Sequence, residues 1–244
     1  MPQTASTRQF RNRVALITGA TRGIGLAIAR ALAAEGCNLV LTGRDEKALN
    51  RINRELASAK IKILAHPCDI RAPQQIDNLF RAIRRQSKRL DILINNAGIA
   101  HPPLTVAKLP LPVWRDVIDT NLTGTFLITQ AALPMMKRGS VIVNNLSVAA
   151  HRIFPGMAAY VASKHAALAL TNTLREELRP RKIRVIALFA GATDTAIWNA
   201  FWPQAPRKKM MSPATVAQAV VNAILLPADA TIEALEIRPA AGLL

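Results

Sequence analysis

Short apolar runs recur along the whole chain, and they constrain its fold more than any other feature. Val14–Thr18, Asn38–Thr42, Lys62–His66, Asp91–Asn95, Ser140–Asn145, Arg184–Ala190 and Ala234–Arg238 each carry β-forming residues. Most are continuously apolar rather than alternating, the pattern of strands buried on both faces. Helical patterns lie between them. Ile24, Ile28, Ala31 and Leu32 share one helix face. Ala48, Ile52 and Leu56 share another, with Arg51, Arg54 and Glu55 elsewhere around the wheel. Ile76, Leu79, Phe80 and Ile83 form a third. Strand–helix alternation from end to end predicts an α/β fold, a doubly wound seven-stranded parallel sheet with helices on both faces. No repeat or linker interrupts it, so residues 1–244 read as a single domain.

Composition narrows the functional classes. Half the residues are hydrophobic and 19% are charged, which excludes a disordered chain. Lys plus Arg number 32 against 15 Asp plus Glu, a net charge of +17. Such an excess suits an anionic partner: nucleic acid, acidic lipid, an acidic protein or a phosphorylated cofactor. A solvated basic surface is the plainer explanation. Cys37 and Cys68 cannot build a disulfide scaffold, and parallel topology places them at opposite ends of the sheet. His66, His101, His151 and His165 show no metal-ligand spacing, so no metal is expected. The first 13 residues are basic and acid-free but short for a targeting segment. The stretch Met210–Ala230 reads as an amphipathic helix and not a membrane span. A cytoplasmic protein without a membrane span is the expectation.

The first apolar run ends in Thr18-Gly19-Ala20-Thr21-Arg22-Gly23-Ile24-Gly25, and a helix follows at once. Glycines allow a sharp turn and close approach of phosphate oxygens to backbone amides. The helix N-terminus then offers unpaired N–H groups and a partial positive charge. A plain glycine-rich turn is the alternative, weakened by the placement between strand and helix. The end of the second run selects the dinucleotide. A carboxylate there would bind the adenosine ribose hydroxyls and repel a 2′-phosphate. This chain has Thr42-Gly43-Arg44, with Arg22 nearby in the glycine turn. Two cations favour NADP(H) over NAD, although Asp45 adjoins Arg44.

Tyr160 is the only tyrosine, and Lys164 lies one helical turn beyond it. A free tyrosine, with a pKa near ~10, is a poor acid or base at neutral pH. A neighbouring ammonium favours the phenolate and lowers that pKa. Ser147 ends the fifth run, where its hydroxyl can hold a carbonyl oxygen. The alternatives are a tyrosine packed on a lysine stem and a serine capping the next helix.

These motifs resemble the short-chain dehydrogenase/reductase family over essentially the whole chain. The matching residues are Thr18–Gly25, Asp69, Asn95-Asn96-Ala97-Gly98, Asn121, Ser147, Tyr160 and Lys164, with the interval from Ser147 to Tyr160. The resemblance implies a Rossmann-type fold. It assigns Tyr160 as proton donor to a carbonyl oxygen, Ser147 as that oxygen's hydrogen-bond partner, and Lys164 to the nicotinamide ribose. Asn121 would position a water that relays protons to Lys164. Asp69 and Ile70 would hold the adenine, while Asn96, Ala97 and Gly98 line the cofactor. Gly19, Thr21, Arg22, Gly23, Ile24 and Gly25 would cradle the pyrophosphate. Gly191, Thr193 and Thr195 would clamp the nicotinamide and its phosphate.

Two departures stand out. Ala190-Gly191 replaces the family's usual Pro-Gly, which frees a φ angle and adds an N–H. Leu146 replaces the first of two serines, and Ser147 is kept. Residues 194–212 are expected to form a substrate lid carrying Trp198, Phe201 and Trp202. With Ile153, Phe154 and Met157 they would make an apolar pocket for a small-molecule carbonyl compound. The leading reading is an NADPH-dependent ketone or aldehyde reductase. A 3-oxoacyl-carrier-protein reductase is an alternative, with Arg207-Lys208-Lys209 meeting the acidic carrier. A non-catalytic NADP-bound regulator or nucleic-acid binder is an alternative from another class, supported only by the charge. The resemblance also implies a homodimer or homotetramer, through helices over Pro112–Met136 and Gly156–Leu178. Ala159, Ala162, Ala166 and Leu170 would face outward on the second, and the apolar tail Ala240–Leu244 fits a further interface. From Arg44 to Arg89 there are twelve basic and five acidic residues, so the remaining charge reads as diffuse.

Overall fold

The computed structural model describes residues 9–242. The first eight residues of the basic N-terminus, and the last two of the apolar tail, lie outside the described residues. Seven parallel strands form one sheet in the order β3-β2-β1-β4-β5-β6-β7. They are β1 Val14–Thr18, β2 Asn38–Gly43, β3 Ile63–Pro67, β4 Ile92–Asn95, β5 Val141–Asn145, β6 Arg184–Ala190 and β7 Ala234–Ile237. The doubly wound Rossmann-type arrangement expected from the apolar runs is therefore present. Boundaries move by a residue where a polar group ends the ladder. Asp91 and Ser140 precede their strands, and β3 starts after Lys62.

The side-chain period of two along each strand builds two cores. Ala15, Ile17, Leu39, Leu41, Ile92 and Ile94 face α1 Gly23–Ala34, α2 Glu46–Leu56 and α7 Pro213–Ile224. Leu16, Val40, Leu93 and Ile142 face α3 Pro73–Gln86, α5 Gly124–Ala132 and α6 Ala158–Leu178. Burial on both faces is why the runs are continuously apolar.

The helix expected over Pro112–Met136 is broken. It comprises α4 Leu111–Ile118, a five-residue π turn at Asp119–Thr123, α5, and a 3₁₀ turn at Leu133–Met135. The wide turn carries buried Asn121 inward. Ala159 does not face outward on α6 as expected; it is fully buried within the chain. Leu170 packs against the core, partly buried. Cys37 leads into β2 and Cys68 follows β3, and both are buried free thiols. No helix among the described residues is long and apolar enough to cross a membrane.

Candidate active site

The carboxyl ends of β1, β2, β4, β5 and β6 open on a cleft of about 970 Å³. The glycine turn forms one end. Gly19 and Gly23 have φ of +63° and +57°, where a side chain is strained. Gly25 has no room for a Cβ, which would sit 2.5 Å from the Gly19 carbonyl oxygen and against the Asn96 amide. Arg22 occupies the N-cap of α1 without a side-chain cap, and the first turn holds no acid. The helix thus presents free N–H groups to the cleft, as a pyrophosphate requires. Thr21, Arg22, Gly23 and Ile24 line it; Gly25 lies beneath.

Asn96 straps this turn. Its side-chain amide donates to the carbonyl oxygens of Thr18 at 3.0 Å and Gly19 at 3.2 Å. The backbone amides of Asn96 and Ala97 donate to the Thr18 hydroxyl at 2.9 and 3.0 Å. Asn145, at the end of β5, donates through its side-chain amide to Asn96 Oδ1 at 2.9 Å. Its backbone oxygen accepts from Lys164 Nζ at 2.9 Å. Sequence reasoning missed Asn145; a polar residue ending a buried strand was its only signal.

At the adenosine end, Arg22 and Arg44 both line the cleft, joined by Arg51 one turn into α2. Arg51 was also missed. Its i, i+3 spacing from Ala48, another lining residue, placed it on the cleft face. Asp45 lines the same end, with its Oδ1 capping α2 by accepting from the Ala48 amide at 2.9 Å. Asp69 and Ile70 also line the cleft. Arg71 grips the Asp69 carboxylate from Nε at 3.0 and 3.1 Å and from Nη2 at 2.6 Å. That guanidinium holds the carboxyl below the usual carboxylate range.

The nicotinamide end gathers Ser147, Tyr160 and Lys164 with Gly98, Gly191, Thr193 and Thr195. Ser147 Oγ accepts from the Ala149 amide at 3.2 Å, capping the short turn that follows it, and Lys164 Nζ lies 5.7 Å from the centre of the Tyr160 ring. The expected lowering of the tyrosine pKa by this lysine is not what the site shows. Burial raises it, partly offset by the nearby Ser147 side chain. Burial also lowers the Lys164 pKa from 10.5 to about 8, which weakens the positive charge available to the phenol. Asn121 stands behind the cleft wall rather than in it. Its side chain pairs with the backbone of Ile99 at 2.8 and 2.9 Å and donates to Ser163 Oγ at 3.0 Å. A Cβ on Gly98 would meet Asn121 Oδ1 at 3.2 Å and Lys164 Nζ at 3.7 Å, so glycine keeps the two residues' approach open.

The segment 194–212 closes over this end as two 3₁₀ turns, Ala196–Ala200 and Arg207–Lys209. Trp198 donates to the Thr193 carbonyl oxygen at 2.8 Å and packs on Phe201 and Trp202 at 4.8 and 6.1 Å. With Phe154 and Met157 these aromatics line the cleft, whereas Ile153 does not and is 74% exposed. Arg207 is tied to Asp194 at 3.1 Å, the Thr195 carbonyl oxygen at 2.6 Å and Asn199 at 2.7 Å. Ala190 pairs with Ile237 in the sheet, and the Gly191 amide donates to the Ile237 oxygen at 2.8 Å. The strand pairing thus fixes the backbone where the family's proline would sit. No group of three or more His, Cys, Asp or Glu that could hold a metal ion occurs among the described residues.

The family model for short chain dehydrogenases matches residues 13–206. The chain belongs to the short-chain dehydrogenase family. This dehydrogenase is 32% identical over 230 residues to an uncharacterized oxidoreductase of Staphylococcus aureus, covering 93% of this chain and 97% of the relative. It is similar to an alcohol dehydrogenase from Thermococcus sibiricus complexed with 5-hydroxy-NADP. That similarity has a TM-score of 0.87 and 30% identity, covering 94% and 97% of the two chains. It is also similar to a 3-ketoacyl-(acyl-carrier-protein) reductase from Brucella melitensis complexed with NADH, with a TM-score of 0.86 and 30% identity. The coverage there is 95% and 98%. As a member of the family it is an oxidoreductase that takes a nicotinamide cofactor.

Two outcomes follow from this geometry. Ser147 has φ +100° and ψ 156°, a region that favours glycine. Ser147→Gly should therefore be more stable than Ser147→Ala by about 1 kcal/mol in urea unfolding, with both variants losing turnover. Equal stabilities would show that the backbone there is unstrained. The second outcome concerns Lys164. Its lowered folded pKa means that the unfolded chain binds the proton more tightly, so stability rises with pH from about 8 toward 10.5. Tyr160, with its raised pKa, opposes this only above its unfolded value near ~10. Wild type should gain about 2 kcal/mol relative to Lys164→Met between pH ~8 and ~10. Parallel stability profiles would refute it.

Proposed function

We propose that this chain is an NADPH-dependent reductase of ketone or aldehyde carbonyls, with Tyr160 as the general acid. The observation that carries the reading is the gathering of Ser147, Tyr160 and Lys164 at one end of the cleft, with Lys164 Nζ 5.7 Å from the centre of the tyrosine ring. The nicotinamide supplies the hydride when bound. Ser147 holds the substrate oxygen, and the Tyr160 hydroxyl gives up its proton to that oxygen as negative charge develops. Lys164 then stabilises the phenolate electrostatically. The raised pKa keeps Tyr160 protonated at neutral pH, the state a reductase needs.

The cofactor choice rests on charge. Relatives hold either an NADP derivative or NADH, so they do not decide it. In this chain Arg22, Arg44 and Arg51 line the adenosine end, three cations against the one carboxylate of Asp45, whose Oδ1 is engaged in capping α2. A 2′-phosphate would gain charge-assisted hydrogen bonds there. The aromatic lid favours a medium or bulky apolar carbonyl compound. The carrier-linked alternative loses Arg207, which is held by Asp194 and Asn199, and keeps exposed Lys208 and Lys209. Trp114 and Phe126 are large exposed apolar groups on α4 and α5, which supports pairing of those helices in a homodimer or homotetramer.

NADPH oxidation over a panel of free ketones, aldehydes and acyl thioesters tests the reading. Tyr160→Phe should lower kcat by about 10³ while NADPH affinity stays nearly unchanged. A variant that keeps turnover would remove Tyr160 as the acid. Arg44→Ser should shift the ratio of kcat/KM for NADPH over NADH by roughly 10- to 100-fold toward NADH. An unchanged ratio would place the 2′-phosphate elsewhere.

A further inference from the structure

We propose that the amino-terminal edge of the sheet, the pole opposite the cleft, docks on an anionic lipid bilayer surface. The sequence reading of a diffuse charge does not survive the topology. All strands are parallel, so the turns that lead into them share one edge. Those turns carry Lys60 and Lys62 before β3, Arg11 and Arg13 before β1, and Lys88 and Arg89 before β4. They continue with Lys137 and Arg138 before β5, and Arg181 and Lys182 before β6. Lys60, Lys62, Lys88, Lys137, Arg138 and Lys182 are exposed and have no ion-pair partner among the described residues. From β3 to β6 this row crosses six strands, about 24 Å at the usual strand spacing.

The acids on the same edge offset it only in part: Glu177, in the last turn of α6, is exposed and has no ion-pair partner among the described residues, and the others are engaged or distant. Asp91 is buried and paired with Arg89. Glu233 faces Arg175 and Arg179. Glu35 accepts from the Gln9 amide at 3.4 Å, and Asp229 lies toward β7, at the far end of the row.

Two of the lysines sit where lysine is costly. Lys60 and Lys182 have φ of +54° and +52°, the left-handed conformation that glycine adopts freely. The corresponding turns before β2 and β5 use Gly36 and Gly139 there. A cation therefore stands at two turns that backbone sterics would give to glycine. Helix C-terminal dipoles attract cations to this pole, and the last turns already supply Arg54, Arg84, Arg85 and Arg175 for that. The turn residues come in addition.

A row of exposed cations spread over six strands, with no exposed aromatic in its turns, fits an anionic lipid surface better than a strand of nucleic acid. Phe10, the aromatic in the first turn, is fully buried beside Arg13 and cannot stack on a base. Docking at this pole leaves the cleft, one strand length away, open to substrate.

The test is sedimentation of the full-length protein with phosphatidylcholine vesicles, with or without phosphatidylglycerol, at low and high salt. A double-stranded DNA fragment serves as competitor. The protein should pellet only with the phosphatidylglycerol vesicles and be released by salt. Replacing Lys62, Lys88 and Lys137 together by Ser should lower the partition coefficient about a hundredfold, with NADPH turnover in solution unchanged. Lys60→Gly with Lys182→Gly should weaken binding while holding or raising the Tm, which separates charge from folding. Failure to pellet with anionic vesicles, equal pelleting with both vesicle types, or unaltered binding by the triple variant would overturn the proposal. Displacement by DNA at phosphate concentrations matching the lipid would also overturn it and make the pole a nucleic-acid surface.

Discussion

A hydrogen-bonded chain from the glycine turn to the buried lysine holds the cleft together. It runs from the Gly19 carbonyl through the Asn96 side chain to the Asn145 amide, and from the Asn145 carbonyl to Lys164. Its members sit at the ends of β1, β4 and β5, which are neighbours in the sheet, and on α6. Sheet pairing fixes those strand ends to within a fraction of a residue. The chain transmits that register to the cleft, so the glycine turn and Lys164 are set at a fixed separation. A nicotinamide dinucleotide is a long ligand, and reaction depends on the placement of its far end. A cradle free to shift by an ångström would misplace the ring even with every side chain intact.

The fold was legible because burial on two faces writes itself as uninterrupted apolar runs. The parallel orientation of the strands followed from strand–helix alternation, since parallel neighbours need crossover helices, whereas their order came only with the folded sheet. The cleft-lining residues were legible because local geometry restricts the residue type, as at Gly19, where φ is +63° and a Cβ would meet the Ala97 backbone. What escaped notice was cooperative or geometric. The π turn at Asp119–Thr123 leaves the apolar pattern nearly unchanged, so periodicity read one helix through it. Ala159 looked outward on a helical wheel, but its face packs inside the chain. Asn145 and Arg51 act through neighbours that only the folded chain supplies. Arg207 looked like a free cation because Asp194 and Asn199 are distant along the segment and meet it only when the lid closes on itself.

Burial acts on the two reactive groups in opposite senses. It raises the tyrosine pKa and lowers that of the lysine, since each loses hydration in its charged form. Desolvation alone therefore leaves both groups close to neutral at moderately alkaline pH. A protonated phenol is the state that donates to a developing alkoxide. A lysine poised near pH 8 keeps a fractional charge that strengthens as soon as an anion forms beside it. Only one of its three N–H donors is committed, to Asn145, so the others are free to face the cleft. The strained backbone at Ser147 belongs to the same balance. It is held at a conformational cost that an unconstrained loop would relax, and the β5–β6 pairing beneath it prevents that relaxation. Tyrosine, lysine and serine are thus held in place by sheet pairing and burial.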